Sequence, residues 1–307
     1  MKAAAFQNTF SWSKSRDELF RECHRKYYYD KYGFWEGWRR DADPERREIY
    51  LLKQVKSRRM WMGEKVHAAV ENALKTLMGG AEASREAVIQ ELTDVMRRDF
   101  RLSRAGAYEG DPKRVTALFE HVYALPVSDE EWVRLHETAV RSVQEFFASD
   151  ILKRARAAGI EHWLPVEEMQ SFSFEGIPVY VKLDFAFREG GGIVIVDWKT
   201  GMGEDVDVTV QLGCYALYAS ERWAARPRDI EAIEYNLNTR SIKRVEIVEA
   251  HLEWARHYIR NSVQAMRKML ADPQANTARI EDFERVSDRT KCKWCNFRRV
   301  CLPDVTF

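Results

Sequence analysis

The sequence predicts an α/β fold in which a mixed central sheet is flanked by helices. Three features carry that expectation. The first 160 or so residues have helical periodicity. From Trp163 the texture changes to β-rich runs, "LPVEEMQSFSF", "PVYVKLDFAF" and "GIVIVDWKT", separated by turn residues. A helix, two further strands and a last long helix follow, and this order of elements builds a covered sheet.

Taken in order, Ser15-x-x-Glu18 reads as a capping box, and Leu19, Cys23 and Tyr27 follow at four-residue spacing. That spacing places Cys23 on the buried stripe of a first helix. Residues 36–48 form a charged connector to a helix over 52–78 that stops at Gly79-Gly80. Residues 82–155 read as further helices interrupted around Pro112 and Pro126. Gly190, Gly191 and Gly192 join the second and third β-runs as a hairpin, after which come a helix at 206–225, strands at 230–238 and 242–248, and a helix at 250–271. The chain divides into N-terminal helices (1–80), a helical insertion (81–160), an α/β core (161–275) and a cysteine-bearing region (276–307) that forms one structural unit with residue 23.

Bulk composition narrows the function classes. The 307 residues are 45% hydrophobic and 32% charged, in keeping with a globular chain and a well-solvated surface. No run approaches the roughly 20 apolar residues of a spanning helix, and the start lacks the apolar centre of a secretory leader, so a cytoplasmic protein is expected. Five cysteines, an odd count in a reducing compartment, favour metal ligation over disulfides. The net charge of +1 does not announce a nucleic-acid binder, but its distribution is uneven. Residues 14–65 hold 15 Lys or Arg against 10 Asp or Glu, and residues 285–301 hold 6 against 1. Brought together, these segments would make an electropositive track for a phosphate backbone. Trp12, Tyr27, Tyr28, Trp294 and Phe297 are interleaved with the charges and could stack on unpaired bases or pack in the core.

Asp197 and Lys199 alternate along one strand, so both project from the face opposite Trp198. Asp184 lies in the preceding strand, which the glycine hairpin carries alongside Asp197. Singly, Asp197 could pair with Lys199 and Asp184 could cap a turn. Ionised acids in such apolar company are costly without a cation, however, and His67 in "MGEKVHAAVENAL" completes an oxygen and nitrogen set suited to Mg²⁺ or Mn²⁺. Gly63, one turn earlier, leaves that helix bare for close approach. Glu167 is a further acidic candidate beside Glu168.

Gly63-x-x-x-His67, Asp184 after "YVKL", Asp197-Trp-Lys199 and Gln211-x-x-x-Tyr215, in this order and spacing, resemble the RecB-like branch of the PD-(D/E)XK nuclease superfamily. The resemblance spans about residues 10–302 and implies a restriction-endonuclease-like core and a metal-dependent phosphodiesterase. It implies that His67, Asp184, Asp197 and the carbonyl of Trp198 hold the metal. Lys199 would orient water or stabilise developing charge, and Gln211 and Tyr215 would stand beside the site. One metal or two both fit.

Cys292-x-x-Cys295-x5-Cys301 lacks a fourth ligand, for which Cys23 and Cys214 are the candidates. Cys214 in "VQLGCYALYA" is most simply a core residue. The same branch has an iron-sulfur subset, including AddB-type and CRISPR-associated exonucleases, that takes one cysteine from before the nuclease motifs and three from after them. This resemblance implies a [4Fe-4S] cluster on Cys23, Cys292, Cys295 and Cys301, with zinc as runner-up. The expected function is a DNA exonuclease acting on single strands or ends, with protein partners in a recombination, repair or CRISPR adaptation complex. No phosphate-binding loop occurs, since Gly201-x-Gly203 is too short, and ATP-driven unwinding would need a separate partner. The competing expectation is a non-catalytic iron-sulfur DNA-binding or assembly subunit that uses the fold as scaffold.

Overall fold

A computed structural model describes residues 7–164, 169–201 and 208–305. Helix α1 (Lys14–Glu22) is capped by Ser13, whose Oγ accepts from the Arg16 N–H at 3.3 Å. The cap therefore lies two residues ahead of the expected Ser15. The helix also stops before Cys23, whose extended backbone (φ −166°, ψ 120°) opens α2 (His24–Tyr28) and its π-helical continuation, Tyr29–Gly33. Cys23 thus stands half-buried in a break between helices instead of on a continuous stripe. The break is tertiary in origin. The Arg25 N–H donates to the Glu284 carbonyl at 3.0 Å and its Nε to the Phe283 carbonyl at 2.7 Å.

Asp43 and Pro44 start α3 (Pro44–Lys53), because Asp43 caps the helix and proline tolerates its first turn. The single helix expected over 52–78 is interrupted by β1 (Val55–Lys56), and α4 (Arg58–Met78) begins afresh at its Ser57 cap. Helix α5 (Arg85–Arg104) leads to β2 (Ala117–Leu118), which pairs parallel with β1 and accounts for that interruption. Next come α6 (Phe119–Val122), α7 (Asp129–Ala148), started by a Ser128–Glu131 capping box, and α8 (Asp150–Ala158).

Strands β3 (Met169–Phe174) and β4 (Ile177–Lys182) form an antiparallel hairpin. Strands β5 (Phe185–Glu189) and β6 (Gly192–Lys199) form a second, turning at Gly190 and Gly191, both at positive φ (57° and 83°) as a two-residue turn requires. After α9 (Val208–Trp223), β7 (Ile230–Asn236) lies parallel to β6, and β8 (Ile242–Glu246) pairs antiparallel with β7. The four-stranded sheet runs β5-β6-β7-β8 and is mixed, as expected. Helix α10 (Glu249–Lys268) and the short α11 (Arg298–Cys301) complete the α-helices among the described residues.

Both faces of the sheet are covered, so β6 reads as a nearly unbroken apolar run. Ile193 and Ile195 pack with α9, α10, the β3–β4 hairpin and α1. Val194, Val196 and Trp198 pack with α4, α5, α7 and α8, the Trp198 ring meeting Phe146 and Tyr235 edge-on. By the alternation of the strand, Asp197 and Lys199 are delivered to the α9 side. A third, smaller core joins Tyr29, Leu52 and Phe119 to Phe297. There Asn296 donates to the Leu52 carbonyl at 2.7 Å, so the two basic segments lie against each other.

Three of the aromatics considered for base stacking, Trp12, Tyr27 and Phe297, are fully buried and belong to the core, and Tyr28 is half-buried. Trp294, by contrast, is 62% exposed. No helix among the described residues is long and apolar enough to cross a membrane.

Candidate active site

Gly63 on α4 faces the loop after β6, where a methyl carbon in its place would lie 3.0 Å from the Thr200 hydroxyl. This close approach brings the next turn of α4 to the sheet, and His67 Nδ1 stands 3.3 Å from Asp184 Oδ1. Asp184 is not inside a strand as expected. It occupies the bend immediately before β5, and because Phe185 faces Val196 in the hairpin register, it comes opposite Asp197. Its second oxygen accepts the Trp198 N–H at 2.8 Å.

Asp197 is bound on both oxygens. Lys199 Nζ lies 2.8 Å from Oδ2, and Gln211 Nε2 donates to Oδ1 at 2.8 Å. Gln211 sits on α9 with Tyr215 one turn later, so the two share a face as their spacing predicts. The Gln211 amide gives its other hydrogen to the Tyr215 hydroxyl at 2.7 Å, and its Oε1 accepts from Lys199 at 3.0 Å and from Lys14 at 3.5 Å. Tyr215 has one proton to donate, and the shorter contact, 2.8 Å to the Lys182 carbonyl against 3.2 Å to Asp197, assigns it to Lys182.

The two buried acids have opposite electrostatic fates. Burial, followed by the charge of Asp184, pushes Asp197 up to about 6. Burial alone would also raise Asp184, but His67, the Trp198 N–H and Lys199 together hold it below the usual carboxylate range.

The site opens into a cleft of about 650 Å³ lined by Lys14, Arg16, Lys31, Lys182, Lys199 and Tyr180, among others. Lys14 and Tyr180 escaped the sequence reading. Nothing local marks Lys14, which reaches Gln211 only because α1 packs across the sheet. The outward phase of Tyr180 in "PVYVK" was the signal available for it. Glu167 lies outside the described residues.

The Arg25 bonds to the Phe283 and Glu284 carbonyls bring the turn at Cys23 to the segment that carries Cys292, Cys295 and Cys301. Cys292 is pushed up by burial and then by Cys301 and Cys23, and burial takes Cys295 up to about 11, with Cys301 and Cys23 again contributing. Cys214 stands apart, buried in α9 and pushed up to about 12, as a core thiol should be. None of the five is in a disulfide. Among the described residues, no group of three or more His, Cys, Asp or Glu side chains is positioned to close on a single metal ion. At Asp197 the physical reason is plain, since both of its oxygens already face Lys199 and Gln211.

In chemical terms the site brings together two acids, an imidazole and an ammonium at the head of a basic cleft, residue types suited to a hard divalent cation and a phosphate. Among solved structures the chain is similar to SSO0001, at 14% identity over 58% of this chain and 81% of that one, with a TM-score of 0.30. It is also similar to a candidate exonuclease from Eubacterium rectale, at 12% identity over 77% and 88% of the two chains, with a TM-score of 0.36. No protein with a curated description matches. A family model described as the PD-(D/E)XK nuclease superfamily matches residues 11–302, nearly the whole sequence, and the chain belongs to that superfamily.

Proposed function

We propose that the protein is a Mg²⁺- or Mn²⁺-dependent deoxyribonuclease of the RecB-like, iron-sulfur branch, hydrolysing phosphodiester bonds in single-stranded DNA or at DNA ends. The observation that carries this reading is the convergence of His67 on Asp184 and of Lys199 on Asp197 at facing positions of one hairpin.

His67, Asp184, Asp197 and the Trp198 carbonyl would hold the cation, which when bound lowers the pKa of water and offsets charge on the scissile phosphate. Lys199 acts at the mouth of the basic cleft, where its ammonium meets the phosphate oxygen that gains charge. Leaving Asp197 for the phosphate does not strand it, because Gln211 Oε1 remains an acceptor for Lys199. Tyr215 fixes Gln211 from behind and ties it to the end of β4.

Cys23, Cys292, Cys295 and Cys301 would ligate a [4Fe-4S] cluster, with zinc as the alternative occupant, since four thiolates suit either. The bonds that hold the Cys23 turn against residues 283 and 284, and the influence of Cys23 and Cys301 on both Cys292 and Cys295 but not on Cys214, support the assignment. In this reading residues 276–307 and the helices around Cys23 form one unit beside the nuclease core.

The deciding experiment incubates 5′- and 3′-labelled single-stranded DNA with Mn²⁺ and wild-type, Asp184→Ala or Lys199→Ala protein. Wild type should cut, and both variants should lose at least about 100-fold, the scale of removing one charge-stabilising group. If all three bind alike and none cuts, the fold is a scaffold and the nuclease proposal fails.

A further inference from the structure

We infer that Tyr180 is a stacking platform for an unpaired base, which selects single-stranded nucleic acid at the mouth of the active-site cleft. The inference rests on the nuclease reading only for where the reacting phosphate lies.

The β3–β4 hairpin has an inner and an outer face. Phe172, Phe174, Val179 and Val181 point into the core beneath α9 and α10. Pro178, Tyr180 and Lys182 point the other way, with Tyr180 facing Ser171 and Lys182 facing Met169 across the hairpin. Tyr180 is 37% exposed, a large aromatic surface left open to the cleft that also holds Lys199 and Gln211.

The ring stands on a rigid base. Strand β4 is paired on one side with β3, and on the other the Tyr180 N–H donates to the Trp12 carbonyl at 2.8 Å while the Trp12 N–H donates to the Pro178 carbonyl at 2.9 Å. Trp12 is itself buried and donates its indole N–H to Ser262 on α10 at 2.9 Å. Ser262 and Tyr258 in turn donate to the buried Asp17 of α1. A platform fixed in this way loses little conformational freedom when a base lands on it.

Cations line the same cleft as the platform. Lys182 projects from the same face about 6.6 Å further along β4, two residues at about 3.3 Å each. The chain leaving Trp12 enters α1, which contributes Lys14, paired with Glu18 at 2.7 Å, and Arg16 to the lining, and Lys31, paired with Asp30 at 2.6 Å, adds a third cation. The arrangement is that of single-strand binding surfaces, in which cations follow the backbone while aromatic faces take the bases. A base stacked inside a duplex has both faces covered by its neighbours and cannot lie on Tyr180, so the platform discriminates against the interior of a duplex. The link to catalysis is direct, because Tyr215 donates to the Lys182 carbonyl at the end of the same strand and contacts Asp197 at 3.2 Å.

The test measures binding of fluorescent oligothymidylate in EDTA, where cleavage stops, using intact strands and strands with one abasic site moved along the sequence. Wild type should lose about 5- to 150-fold in affinity at one position of the abasic site, the range for removing one stacked base. Tyr180→Ala should bind the intact strand more weakly by the same factor and be indifferent to the abasic site there. Tyr180→Phe should behave as wild type, and blunt duplex should bind all three proteins alike. Equal affinity and an unchanged abasic profile in a folded Tyr180→Ala protein overturn the inference. Because no cleavage is read, a wild type that shows the abasic pattern yet cuts nothing leaves this inference standing and sinks the nuclease reading instead.

Discussion

Gly63 and Thr200 meet so closely that one added methyl group would press on the threonine hydroxyl, at 3.0 Å. The missing side chain sets how near α4 comes to the end of β6, and hence where His67 meets Asp184. In Gly63→Ala, alanine favours the helix by about 1 kcal/mol, which offsets part of the strain, so melting should change little. Activity should fall by about 10-fold or more, because displacements well under 1 Å matter to chemistry. Cleavage kinetics alongside a thermal melt check this, and unimpaired turnover would contradict the role assigned to Gly63.

Proton and cation should compete at Asp197. Its carboxyl is raised from 3.8 to about 6, so below about pH 6 a proton occupies the oxygens that a metal needs. Apparent Mn²⁺ affinity should fall as pH drops from 7 to 5, with proton release on binding growing over that interval. Calorimetry in buffers of different ionisation enthalpy measures both. The same shift fixes a stability trend. The folded state favours protonated Asp197, so without metal this residue adds stability as pH falls from about 6 toward 3.8, and saturating Mn²⁺ should abolish that gain. Asp184, held low, acts in the opposite sense and only at more acid pH.

Gln211 is the joint between acid and base. It donates to Asp197 and accepts from Lys199, so Gln211→Ala leaves the Lys199 ammonium without its second anchor. The expected result is a kcat loss of about 10- to 100-fold with KM within about threefold, since the interaction serves orientation more than substrate binding. A variant whose KM rises while kcat holds would make Gln211 a substrate contact instead.

The cysteine assignment has a visible consequence. Protein purified without oxygen should be brown, Cys301→Ser should lose the colour and melt lower, and Cys214→Ser should keep it, because Cys214 lies in the core of α9. Stoichiometric zinc in a colourless wild type would replace the cluster with the alternative.

What the sequence revealed follows from the range of the forces involved. The glycine hairpin, the alternation of Asp197, Trp198 and Lys199, and the shared face of Gln211 and Tyr215 are local geometry, and each is found as its spacing predicts. The break at Cys23 comes from bonds to residues 283 and 284, and the break at Val55 from pairing with Ala117, neither of which any window of sequence contains. Lys14 was missed for the same reason. Of the two fates open to Trp12, Tyr27 and Phe297, stacking on bases or packing in the core, the structure takes the second, because charged neighbours in sequence do not keep a ring from turning inward.

The bond from Arg25 to the Phe283 carbonyl joins residues 258 positions apart, and Asn296 reaches Leu52 across 244. During synthesis the first helices therefore leave the ribosome long before the segment that covers them. Residues Tyr27, Tyr28 and Tyr32, which finally enclose Phe283, must wait as an uncovered aromatic surface. Nascent chains halted before residue 283 should accordingly be captured by chaperones and cut by proteases, and release of the last few dozen residues should end that vulnerability.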